Sequence, residues 1–144
     1  MTKHFLFGYF GQQNTGDDAM LYCWLDRMDI QDKAFVLFRG REAYLPKCKD
    51  IELVPYSILE VALAIIKSDA FVIVGGTHFS DWGKITQNAI IIGRIFLLAL
   101  FSRALGKKVV FDSIGIVCRS WWMRVLVSAA CGLAQYISVR DRWS

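Results

Sequence analysis

The run His4-Phe5-Leu6-Phe7-Gly8-Tyr9-Phe10 breaks into Gly11-Gln12-Gln13-Asn14-Thr15-Gly16-Asp17-Asp18 and resumes as Ala19-Met20-Leu21-Tyr22-Cys23-Trp24-Leu25. It reads as a buried strand, a glycine-punctuated turn and a helix with two acids in its first turn, the pattern with which α/β proteins build a ligand-facing sheet edge. Glycine permits left-handed backbone and close approach of a ligand, while carboxylates suit the positive end of a helix dipole. The same acids, Asp17 and Asp18, would repel a phosphate seated at the helix start, so the turn suits sugar hydroxyls better than a dinucleotide or a P-loop ligand.

Outward from this segment the chain keeps alternating. Ala34-Phe35-Val36-Leu37-Phe38 reads as a second strand and Ile51-Glu52-Leu53-Val54-Pro55 as a third, ended by its proline. Ser57 is expected to cap a helix in which Ile58, Leu59, Val61, Ala62, Ile65 and Ile66 recur at helical spacing. Ala70-Phe71-Val72-Ile73-Val74 is a continuous apolar run of the kind found in central parallel strands, and it stops at Gly75-Gly76. A helix over Ile85 to Leu105 follows, closed by Gly106, and Val109-Val110-Phe111 starts another strand. Arg119 to Ala134 is a further amphipathic helix and Tyr136-Ile137-Ser138-Val139 a last short strand. Such alternation requires right-handed crossovers, so the fold class expected is α/β: a Rossmann-like, mostly parallel sheet with helices on both faces. Residues 1–144 show no internal repeat, linker or low-complexity tract and read as one domain.

Composition narrows the function classes. The chain is 55% hydrophobic and 21% charged, with a mean hydropathy of +0.37, which is apolar for a soluble protein and implies a large surface to be covered by a membrane, a second lobe or a protein partner. Seventeen basic and 13 acidic residues are scattered without a basic run or arginine-aromatic pattern, which argues against nucleic acid. Ala89 to Leu105 is the most hydrophobic segment, but Arg94 interrupts it, so a helix packed on the sheet is preferred to a membrane-surface helix. Cys23, Cys48, Cys118 and Cys131 form no CxxC pair; buried reduced thiols are expected, and no metal site. No signal-peptide pattern follows Met1-Thr2-Lys3, so the expected location is cytoplasmic, with peripheral attachment at the inner face of the membrane as the lesser reading.

Ligands of open parallel sheets bind outside the carboxyl ends of the strands. Polar or glycine residues fall at those ends in Gly11 to Asp18, Gly75 to Asp81, Asp112 to Gly115, and Arg140-Asp141. The candidate ligand-binding residues are therefore Asn14, Gly16, Asp17, Asp18, Gly75, Gly76, Asp81 and Arg140. Each has a structural alternative: helix-start stabilisation for the acids, a turn role for Asn14, a helix cap for Asp81, and an ion pair with Asp141 for Arg140. His4, at the amino end of the first strand, is expected at the surface; His78 is expected to be a loop residue; Trp121 and Trp122 are expected in core or interface.

The same segments carry a resemblance. Gly11, Asn14, Gly16, Asp17 and Asp18 match the G-x-x-N-x-G-D-E type turn that opens the polysaccharide pyruvyl transferase family. Ser68-Asp69-Ala70 through Gly75-Gly76 and Asp81 resemble its glycine-ended strand with a following aspartate. Gly106, Lys107, Val109, Val110, Ile114 and Gly115 are similar to its G-K-x-V-V strand and G-I-G-P turn, and Arg140, Asp141 and Ser144 to its R-D-x-x-S. Thr77 replaces a third glycine, and Ser113 and Ile116 replace the first glycine and the proline of G-I-G-P.

The resemblance, to the amino-terminal half of such enzymes, implies a lobe of a GT-B-like fold. It also implies transfer of pyruvate from phosphoenolpyruvate, as a ketal, to a glycan in cell-surface or exopolysaccharide biosynthesis. The resemblance further implies that the catalytic histidine and much of the phosphoenolpyruvate site belong to a carboxyl-terminal lobe expected to be absent from residues 1–144, so no catalytic residue is assigned here and the chain is expected to be inactive alone. Phosphoenolpyruvate is a donor substrate, and no cofactor is implied. The alternatives from other classes are a non-catalytic Rossmann-like interaction module and a lobe of a sugar-nucleotide glycosyltransferase.

Overall fold

The computed structural model describes residues 1–40, 45, 49–76, 79–80 and 85–140. In chain order the elements are β1 (Lys3–Phe10), α1 (Thr15–Arg27), β2 (Lys33–Phe38), β3 (Asp50–Val54), α2 (Ile58–Lys67), β4 (Ala70–Val74), β5 (Phe79–Ser80), α3 (Ile85–Ala104), β6 (Lys108–Ile114), β7 (Ile116–Val117), α4 (Trp121–Cys131) and β8 (Tyr136–Val139). Six strands form one sheet in the order β3-β2-β1-β4-β6-β8, and every pairing in it is parallel. The α/β, Rossmann-like class expected from the alternation is the class observed.

The centre of the sheet follows from composition. All five residues of β4 are buried, as an uninterrupted apolar run must be when it is covered on both faces. Its alternate residues feed two cores. Val72 and Val74 join Leu6 and Val36 beneath Leu21 and Leu25 of α1. Phe71 and Ile73 join Phe5, Phe35 and Phe111 beneath Ala64 and Ile65 of α2, Ile92, Ile95 and Ala99 of α3, and Met123, Val127 and Ala130 of α4. Phe5 stacks on Phe71 with ring centroids 5.9 Å apart. Helices thus cover both faces, one on the first side and three on the second.

Several local expectations change. Ser57 occupies the position before α2 in extended backbone, yet its hydroxyl makes no cap hydrogen bond. The two-residue strands β5 and β7 pair with each other in a separate parallel ribbon and are too short to show a period in sequence. The thiols are not buried: Cys23 is exposed, and Cys118 and Cys131 are half-buried. Cys23 falls on the outer side of α1, away from the inward pair Leu21 and Leu25. Cys48 and His78 lie outside the described residues. His4 is not a surface residue but half-buried, edge-on to Trp24 at 5.0 Å and with Nε2 3.5 Å from Asp32 Oδ2. Trp121 is 76% exposed, whereas Trp122 packs on the larger core.

Left-handed backbone recurs at the carboxyl edge, at Gly11 and Gln13 after β1, at Gly75 and Gly76 after β4, and at Ser113. Gly75, which ends β4, has φ +67, and a Cβ there would overlap Met20 Sδ of α1. Ser113, in the place of the first glycine of the G-I-G-P turn, has φ 57, so the glycine conformation persists without the glycine. Gly75→Ala should lower unfolding free energy by about 1–3 kcal/mol, from backbone strain and crowding of Met20. Ser113→Gly should be neutral or stabilising by up to about 1 kcal/mol, because relief of strain exceeds the added freedom of the unfolded chain. Urea unfolding of both variants checks the pair.

Candidate functional site

The strand order reverses direction between β1 and β4: the chain builds outward from β1 through β2 to β3, then crosses back to β4 and builds the other way. Loops leaving the carboxyl ends of β1 and β4 therefore diverge, and a crevice opens between them. Gly11 to Asp18, Gly75-Gly76, Asp112 to Gly115 and Arg140 all lie along this edge.

The first turn is held by its own polar groups. The Gly11 amide donates to Asp18 Oδ1 at 2.7 Å, the Asp18 amide donates to the Asn14 carbonyl at 3.0 Å, and Asn14 Nδ2 donates to Asp17 Oδ2 at 2.7 Å. Asp18 thus closes the loop over the helix start, and Asn14 orients Asp17. Asp17 is only 3% exposed. Burial, reinforced by the neighbouring Asp18 charge, pushes its carboxyl above the ordinary aspartate range, and the Arg140 guanidinium opposes that rise.

Gly75 and Gly76 follow β4 directly. The Gly75 amide donates to the Asp112 carbonyl at 2.8 Å and the Gly115 amide to the Gly76 carbonyl at 2.9 Å, which carries the β4–β6 pairing past the regular ladder. Arg140 leaves β8 with its amide bonded to the Ile114 carbonyl at 3.0 Å. Its side chain lines a cleft of about 380 Å³ with Gly16, Cys23, Arg27, Asp112 and Ser113. Of the candidates, Gly16 and Arg140 line this cleft, whereas Asp17, held by Asn14, is buried within electrostatic range of Arg140 without lining it. Asp18 faces a neighbouring cavity of about 600 Å³ beyond β1 and β2, lined also by Gln13, Phe38 and Arg39. Asp81, Asp141 and Ser144 lie outside the described residues.

Three features of this edge were not legible in sequence. Asp112 is buried within β6, two residues before its end, and accepts hydrogen bonds from Ser138 Oγ at 2.6 Å and Arg27 Nη2 at 3.0 Å. Arg27 lies 85 residues away in the last turn of α1, so only the sheet order brings the pair together; the sequence signal was limited to an acid terminating an apolar strand. Arg39 lies 3.6 Å over the Tyr56 ring, whose hydroxyl donates to the Gly8 carbonyl at 3.3 Å. Tyr9 is half-buried near both charge types, and burial raises its phenol above the ordinary tyrosine range. Among the described residues no group of three or more histidine, cysteine, aspartate or glutamate side chains is placed to hold a metal ion.

A family model described as polysaccharide pyruvyl transferase matches residues 14–144, nearly the whole chain and all the edge segments from Asn14 onward. The chain belongs to the polysaccharide pyruvyl transferase family. No curated protein and no solved structure matches it. In this pyruvyl transferase family member the departures from the motif are conformationally conservative at Ser113, whose amide donates to Ser138 Oγ at 2.7 Å and so joins the hydrogen-bond set around Asp112.

A carboxyl that is harder to ionise in the folded state than in the unfolded state binds more protons when folded, so ionising Asp17 destabilises the fold as pH rises. Asp17→Asn should therefore gain stability relative to the parent from the ordinary aspartate range up through the raised range of Asp17, then hold a constant difference; thermal melts from pH 3 to pH 7 (about the span that brackets a buried aspartate) read this out. For the Arg27–Asp112 pair the two truncations should be unequal. Arg27→Ala removes an exposed partner and should cost under about 1 kcal/mol. Asp112→Ala removes the buried acceptor of the half-buried Ser138 hydroxyl as well as of Arg27 and should cost about 1–3 kcal/mol by urea unfolding.

Proposed function

We propose that this chain supplies the glycan-facing part of the cleft in which a pyruvyl transferase moves pyruvate from phosphoenolpyruvate to a glycan during cell-surface or exopolysaccharide biosynthesis in the cytoplasm. The reaction adds a proton to C3 of phosphoenolpyruvate and leaves C2 electrophilic. One sugar hydroxyl then bonds to C2 and loses its proton, the bond from C2 to the phosphate oxygen breaks, and a second hydroxyl of the same sugar bonds to C2 and loses its proton. Of these two protons one balances that added at C3 and the other leaves with the base or the phosphate. Such a reaction needs a general acid, a base for the hydroxyls and cations to hold carboxylate and phosphate.

The observation that carries the reading is an arginine lining the carboxyl-edge crevice with a buried acid within its electrostatic range. Asp17, oriented by Asn14, is suited to accept from a sugar hydroxyl. Arg140, whose charge is felt at Asp17, is suited to clamp a carboxylate or phosphate with its planar fork. The family membership supports both assignments. Gly16 lines the crevice without adding a side chain to it. His4 lies at the amino end of β1, opposite the crevice, and takes no part. We assign the proton donor to a second, GT-B-like lobe or protein partner facing this edge, and the described residues to binding.

The test is binding and turnover measured side by side. The chain alone should release no phosphate from phosphoenolpyruvate in the presence of a pyruvylatable oligosaccharide, yet should bind the partners detectably by saturation-transfer NMR. Arg140→Ala should weaken phosphoenolpyruvate binding about tenfold and Asp17→Asn should weaken the saccharide by a similar factor, each equivalent to ~1.4 kcal/mol. Phosphate release by the chain alone would show that the catalytic set is present here, and binding unchanged in both variants would remove the crevice from the reading.

A further inference from the structure

The three helices that cover one face of the sheet have a second, outward apolar side. Leu59 and Ile66 of α2 are 66% and 49% exposed, Leu97 and Leu100 of α3 are 62% and 44% exposed, and Trp121 and Val125 of α4 are 76% and 61% exposed. The inward rows of these helices are already spent on the core, through Ile65, Ile92, Ile95 and Val127. The outward rows therefore form a broad surface with no packing role inside the domain. Monomeric soluble proteins seldom expose apolar area on this scale without a use for it.

Charge identifies the occupant. The helices that carry this face contain Lys67, Arg94, Arg103 and Arg124 against the single acid Glu60. On the opposite face α1 carries Asp17, Asp18 and Asp26 against Arg27. Lys67 and Arg103 lie in the last turns of their helices, and Lys107 follows α3 with Nζ on the Ile66 carbonyl at 3.0 Å, so cations border the apolar rows at one end, and Arg94 lies among them. We propose that this face rests on an anionic lipid bilayer, apolar side chains in the acyl boundary and basic side chains among the headgroups.

Two other arrangements fit less well. Thr86–Ala104 is long and apolar enough to cross a bilayer by length and composition, but α3 buries Ile92, Ile95 and Ala99 against the sheet and carries Arg94 exposed at its middle, so it lies on the membrane and does not span it. In a two-fold dimer the same patch meets itself, which would set the cations of one copy against those of the other, whereas anionic headgroups neutralise them. Resting on this flank leaves the carboxyl edge, with Asp17 and Arg140, open to the side. A pyruvyl transferase so placed would meet glycan carried at the lipid surface.

The experiment is co-sedimentation of the whole chain with vesicles of phosphatidylcholine alone or mixed with phosphatidylglycerol. Binding is expected only with phosphatidylglycerol, weakening as salt is raised. Leu97→Glu should weaken it at least about tenfold, and Arg103→Gln with Arg124→Gln about fivefold per charge while leaving the apolar surface intact. Circular-dichroism melts should match the parent, since the altered side chains are exposed. Absence of pelleting with anionic vesicles would overturn the proposal, as would equal pelleting with neutral ones. Concentration-dependent dimerisation abolished by Leu97→Glu, without vesicle binding, would assign the face to a second copy. None of these results bears on the crevice, whose ligand binding is read without lipid.

Discussion

Burial of β4 on both faces is the constraint from which the rest of the molecule follows. Five apolar residues without a polar alternate cannot sit at an edge or line a solvated face. The strand must be central, with β1 on one side and β6 on the other. Parallel neighbours require crossovers, and crossovers put helices over both faces. Because β4 pairs with β1 and not with the preceding strand β3, the sheet reverses its direction of growth at that junction. The crevice at the carboxyl edge results from that reversal. Gly75 then lets α1 approach so closely that a Cβ would strike Met20, which brings the first helix start beside the end of β4.

The two faces of the sheet solve the covering problem differently. α1 covers its side with a modest apolar row and an acidic first turn, and that turn is folded back on itself through Asn14, Asp17 and Asp18. The opposite side is covered by α2, α3 and α4, whose apolar residues exceed what the sheet can bury. Helical spacing explains the surplus: Ile92, Ile95 and Ala99 fall on the inner row of α3, while Leu97 and Leu100 fall on the outer row of the same helix. The high mean hydropathy of the chain is therefore partly core and partly surface. A buried acid on one side and an oily, basic layer on the other give the domain a chemical direction, with the crevice at its upper edge.

Much of the fold was legible because its signals are local. The limits of β4 and β8 and the start of α3 coincide with the sequence reading, since apolar runs bounded by glycine, proline or polar clusters mark strand ends without reference to neighbours. β5 and β7 were not legible, because a two-residue strand has no period. The crevice residues were legible as strand-end polar groups, and the family turn pointed to Asn14, Gly16, Asp17 and Asp18. Their division of labour was not: Asp18 bonds the Gly11 amide and belongs to the loop, whereas Asp17 is buried beside the charge of Arg140. The Arg27–Asp112 bond and the Arg39–Tyr56 stack were invisible for the same reason as any contact between distant segments: composition and periodicity hold no record of which strand ends meet.

By itself the sequence determined the α/β class, the central strand, the list of strand-end residues and membership in a pyruvyl transferase family, because each depends on residue type and spacing along the chain. Tertiary structure alone decided which of those residues share a space and which face is left uncovered. It set Arg27 against Asp112 and placed Arg140 within electrostatic reach of Asp17. It also turned Ser113 into the left-handed conformation expected of glycine. Those outcomes depend on strand order and helix rotation, which are fixed only when the two cores close around β4.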